Sequence, residues 1–76
     1  MNKERRGRIA RLLILLDDVQ SQLLEVQDEE KEAYDNLPES LSCSERAADM
    51  EAVIDSLEEA ICSLEDVITT LQEVVE

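Results

Sequence analysis

The sequence predicts an all-α protein: an antiparallel two-helix hairpin that assembles into a four-helix bundle, as a homodimer or a larger helical oligomer. Three observations predict it. Hydrophobic residues make up 43% of the 76 residues, yet there is one Gly, one Pro and no His. So few turn residues exclude a β-sandwich or barrel, and so much apolar content excludes simple disorder. Second, both halves carry apolar residues at a sustained heptad spacing. Third, a single short Pro-containing segment divides the halves.

With Ile9 at position a, the a and d positions of the first half are Ile9, Leu12, Leu16, Val19, Leu23, Val26, Glu30, Ala33 and Leu37, and only Glu30 breaks the pattern. With Met50 at a, the second half runs Met50, Val53, Leu57, Ala60, Leu64, Val67, Leu71 and Val74, with a further apolar column at e: Ala47, Ile54, Ile61, Ile68 and Val75. An a/d/e face is wider than a two-stranded seam and fits a helix with more than one neighbour.

One domain is expected, with helix 1 over about residues 8–36, a loop at 37–42 and helix 2 over about 43–75. Pro38 stops helix 1 and pushes Leu37 towards extended backbone. Asn36 suits a left-handed C-terminal cap. Ser42 and Glu45 fit a capping box opening helix 2. Leu37 and Leu41 are expected to fold over the end of the core. Asn2 could cap helix 1 earlier, but Gly7 costs about 1 kcal/mol inside a helix, so fraying before Arg8 is favoured.

A lone hairpin is expected to leave Leu13, Leu15, Ile54, Ile61 and Ile68 partly in water, forgoing roughly 1–3 kcal/mol each. Pairing hairpins removes that exposure, and a two-fold dimer is the commonest symmetric solution. The expected oligomer interface is Leu12, Leu13, Leu15, Leu16, Val19, Leu23, Ile54, Leu57, Ile61, Leu64, Ile68 and Leu71. Glu30 and Arg46, the polar residues of the two seams, are expected close together as a register-fixing pair. Tyr34, the sole aromatic residue, reads as a lid on the core with its hydroxyl in water.

Charge is segregated. Residues 1–11 hold five bases and one acid, a net +4; the remainder holds two bases and nineteen acids, a net −17. An antiparallel hairpin is expected to set the basic start, Lys3 to Arg11, near Glu65, Asp66, Glu73 and Glu76. The total of −13 rules out holding DNA or RNA by charge over the whole surface. The polar side of helix 2 offers a candidate acidic partner surface: Glu51, Asp55, Glu58, Glu59, Glu65 and Asp66. Its plain reading is a solvated face. Its sharper reading is a surface that imitates nucleic-acid phosphates or docks on a basic host protein.

Cys43 and Cys62 fall nineteen positions apart in what reads as one helix, roughly 28 Å, too far to bridge within the chain. They read as reduced thiols in a cytoplasmic setting. The run Leu12 to Leu16 is too short for a signal peptide, and no stretch reaches a membrane span, so no membrane association is expected.

Catalytic chemistry finds no foothold. Without His the common general base is missing, and two thiols alone make a poor zinc site. No Gly-rich phosphate loop exists. Glu29-Glu30-Lys31-Glu32 lacks the partners of a double-Glu magnesium motif, and Asp55 to Asp66 lacks the central Gly of a calcium loop. No enzyme activity, cofactor or metal is expected. Ser21-Gln22-Leu23-Leu24-Glu25 is only loosely similar to the Ser-x-x-Leu-Asp motif of small helical phosphatases, since Glu25 replaces the Asp.

Glu32-Ala33-Tyr34-Asp35-Asn36-Leu37-Pro38-Glu39-Ser40-Leu41, then Ser44-Glu45-Arg46 and Met50-Glu51-x-x-Ile54-Asp55-x-Leu57-Glu58-x-Ala60, resembles a group of short uncharacterised helical proteins of phages, prophages and gut Firmicutes. The resemblance spans roughly residues 28–66. It implies a mobile-element origin and a cytoplasmic setting, and it carries over no functional residues. The expectation is a non-enzymatic, self-associating protein–protein interaction module. The alternative is an acidic nucleic-acid mimic that inhibits a host enzyme.

Overall fold

A computed structural model describes residues 1–76. Two long helices, α1 (Lys3–Asp35) and α2 (Glu45–Val75), flank a 3-10 turn at Glu39–Leu41. They pack on each other as a hairpin with Cα extents of 59 × 15 × 13 Å. The all-helical hairpin matches the fold class read from the heptads.

Helix α1 starts five residues earlier than expected. Asn2 is extended (φ −77°, ψ 167°), and its Oδ1 accepts from the Arg5 backbone N–H at 2.8 Å. That bond satisfies one of the otherwise free first-turn amides and offsets the propensity cost of Gly7. At the other end Asn36 does cap α1, but with φ −91° and ψ 3° rather than in the left-handed region. Its N–H donates to the Glu32 carbonyl at 3.0 Å.

The turn moves the start of α2 later. Beyond Pro38, the Leu41 N–H donates to the Pro38 carbonyl at 2.8 Å, and the Ser42 hydroxyl donates to the Glu39 carbonyl at 2.8 Å. The extra 3-10 turn thus engages Ser42, the residue expected to cap. Ser44 caps instead: its Oγ accepts from the Ala47 N–H at 3.3 Å and donates to the Leu41 carbonyl at 2.6 Å. Cys43 therefore lies in the turn rather than in α2. Leu37 is half-buried, whereas Leu41 is exposed.

The contact between helices follows a 3-4 spacing, but not along the expected a/d seam. In α1 the inward residues are Ile9, Leu13, Leu16, Gln20, Leu23, Gln27, Glu30 and Tyr34. In α2 they are Ala47, Met50, Ile54, Leu57, Ile61, Leu64, Ile68, Leu71 and Val75. These are the a and e columns of each helix. Glu30 is half-buried in this stripe, but Arg46, at a d position, is exposed, so the expected pairing inside the seam is not made.

The core is thin. Only Leu13, Ala47, Ile61, Ile68 and Gln27 are buried. The radius of gyration is 17.4 Å, against about 11 Å for a compact chain of this length. The accessible surface is 5844 Å², about 1,100 Å² more than a compact monomer of this mass exposes. Two helices touch along one line each, and everything off that line stays near solvent.

Candidate functional site: an unpartnered apolar face

Rotation of about 100° per residue fixes where the unused apolar columns point. Viewed along α1 from its N-terminus, the d column lies roughly 80° counterclockwise of the inward a/e stripe. Helix α2 runs the opposite way, so its d column lies clockwise by the same angle from the same viewpoint. Both d columns therefore fall on one side of the hairpin. Exposure agrees: Leu12, Val19 and Val26 of α1 and Val53, Val67 and Val74 of α2 all stand partly in water. Ala33 and Ala60 continue the columns, and Arg5 and Arg46 end them at the open end of α1 and the loop end of α2; all four are exposed.

The g column borders this face. On α1 it carries Arg8, Leu15, Gln22 and Glu29; Leu15 is 61% exposed. On α2 it carries Asp49, Ser56, Ser63 and Thr70, small apart from the first. Near the open end of the hairpin, Met1, Arg5, Arg8, Ile9 and Leu12 line a shallow groove of about 220 Å³.

The opposite side is acidic. Glu51, Glu58 and Glu65 share the b column of α2, with Asp55 on f and Glu59 and Asp66 on c behind them; all are exposed. Gln27, an e residue 2% exposed, marks this side: its Nε2 donates to Glu58 Oε2 at 2.7 Å across the two helices. Glu58 Oε1 also accepts from the Cys62 thiol at 3.8 Å. Partial desolvation, then the charge and hydrogen bond of Glu58 and the nearby Glu65 and Asp66, hold the Cys62 thiol above its usual range. Cys43 and Cys62 are both free and exposed. No three carboxylate or thiol side chains converge as metal ligands do. No helix is long and apolar enough to cross a membrane.

The residues expected at a subunit interface thus divide. Leu13, Ile61 and Ile68 are buried inside one hairpin, and Leu16, Leu23, Ile54, Leu57, Leu64 and Leu71 are half-buried on its inward stripe. The e column, expected to be left in water by a lone hairpin, is the part that is covered. Leu12, Leu15 and Val19 remain outward. The residues that join them on that face, Val26, Val53, Val67 and Val74, were legible as d positions. What the heptad could not say was which two of its three columns the intrachain partner takes.

No protein-family model, curated protein or solved structure matches the chain.

Proposed function

We propose that the protein is a non-enzymatic, self-associating helical module that acts through protein–protein contact, with a dimer of hairpins as its working form. The observation that carries this reading is the pair of d columns exposed on one side of the hairpin. Their exposure forgoes hydrophobic free energy at about 25 cal/mol per Å². The excess surface, about 1,100 Å², exceeds the roughly 800 Å² that each partner buries in a standard stable interface. The loop pattern of residues 32–41 is what supports a mobile-element origin.

Size exclusion of Leu15→Glu beside the wild type tests the reading. A charge at the border of the face separates the copies, so the variant elutes later while remaining helical. An unchanged elution volume argues against self-association through this face.

The division of faces also favours a second reading. Glu51, Glu58 and Glu65 lie opposite the apolar face and stay outside a dimer formed through it. They could occupy a basic, nucleic-acid-binding channel of a host enzyme. Capture from host lysate at two salt concentrations tests this: one basic protein retained only at low salt supports it. Equal retention by a variant carrying Gln at those three positions removes it.

A further inference from the structure

We propose that a second copy of this chain covers the apolar face in one particular orientation: face to face, with the two loops at opposite ends, α1 lying over the partner's α1 and α2 over the partner's α2. This rests on the self-association reading and specifies its geometry.

Two arrangements bring such faces together with two-fold symmetry. In one the loops are at opposite ends. In the other they are at the same end, and α1 lies over the partner's α2. In both, the a and d columns of four helices make a common core, and the g columns become its flanks. The charge distribution of the hairpin distinguishes them.

Divided at its middle level, the hairpin is strongly asymmetric. The loop half, residues 20–61, holds thirteen acids, Lys31 and Arg46, a net −11. The open half, residues 1–19 and 62–76, holds seven acids and five bases, a net −2. Loops at the same end set −11 against −11. Loops at opposite ends set each −11 against −2, and like charge brought together is costly.

The g columns give the same answer residue by residue. With loops opposed, α1 meets the partner's α1 in levels whose numbers add to about 37, so Arg8 faces Glu29 of the other copy, twice by symmetry. The α2 flank then pairs Ser56, Ser63 and Thr70 among themselves, uncharged and small enough for close approach. With loops together, α1 meets the partner's α2 in levels adding to about 80. Glu29 then faces Asp49, two acids, again twice. One arrangement has two attractive pairs where the other has two repulsive ones.

Val19 sits at the middle level of the d column and falls beside the two-fold axis only when the loops are opposed. The test uses single-cysteine chains on a Cys43→Ser, Cys62→Ser background, under mild oxidation, with circular dichroism confirming the fold. Val19→Cys is expected to form a disulfide with its own copy, and Leu12→Cys alone is not, since its copies would lie roughly 20 Å apart. Arg8→Glu is expected to weaken dimerisation about tenfold, and Arg8→Glu with Glu29→Arg to restore it. Cross-linking of a Leu12→Cys chain to a separate Val67→Cys chain, without Val19→Cys self-linking, overturns the orientation while leaving self-association intact. A cysteine-free chain that sediments as a folded monomer overturns both.

Discussion

The Gln27 amide and the Glu58 carboxylate meet at 2.7 Å across the hairpin, joining the most deeply buried side chain of α1 to an exposed acid of α2. A buried amide in an otherwise apolar stripe demands a partner, and an ionised acceptor makes a stronger bond than a neutral one. Glu58→Ala strands the amide, so unfolding by urea at fixed protein concentration should show a loss of about 1–3 kcal/mol. Gln27→Leu removes the need for the partner. The double variant Gln27→Leu, Glu58→Ala should therefore be more stable than Glu58→Ala alone. Equal losses in the two would show that the bond contributes nothing specific.

Leu15 and Ile14 are similarly exposed, at 61% and 69%, but only Leu15 borders the apolar face. Ile14 occupies an f position on the outer back of α1. Replacing each with Glu separates geometry from hydrophobicity. Ile14→Glu should leave the elution volume unchanged, while Leu15→Glu delays elution. If both variants dissociate, general loss of greasiness rather than a defined face governs assembly.

Each copy carries −13, so the proposed dimer forms against net repulsion even with its Arg8–Glu29 contacts. Screening shortens that repulsion: the Debye length falls from about 30 Å at 0.01 M salt to about 3 Å at 1 M. Raising salt should tighten association, as the apolar contribution persists and the repulsion fades. Weakening by salt, measured by sedimentation over that range, would point instead to an interface built on ion pairs.

Partial desolvation first, and then the charge and hydrogen bond of Glu58, raise the pKa of the Cys62 thiol. A raised pKa lowers the thiolate fraction at any pH below it, and thiolate is the reacting species. Glu58→Gln removes one nearby negative charge. In a Cys43→Ser background its alkylation by iodoacetamide near pH 8 should run about two- to fivefold faster than with Glu58 present. An unchanged rate would show that the carboxylate exerts no hold on the sulfur.

The heptads made the two helices and their antiparallel return legible, because apolar periodicity over four turns or more outweighs local propensity. Their boundaries were less so. Asn2 was readable as a cap, but one satisfied first-turn amide outweighs the propensity cost of Gly7. The turn gave Ser42 and Ser44 equal chemistry, and only the 3-10 turn after Pro38 decided that Ser42 would bond backwards to Glu39. The packing of α1 on α2 was half legible. Three apolar columns are more than one partner helix covers, but a linear pattern does not say which of them the intrachain partner takes. Gln20 and Gln27, polar residues on e, interrupt the apolar pattern of the stripe that α1 turns towards α2.

Sedimentation equilibrium of the wild-type chain, across a range of concentrations under reducing conditions, decides whether a second copy covers the apolar face that one hairpin leaves open. A helical species of twice 8.6 kDa that dissociates only on dilution is expected. A folded, stable species of 8.6 kDa at every concentration would contradict it.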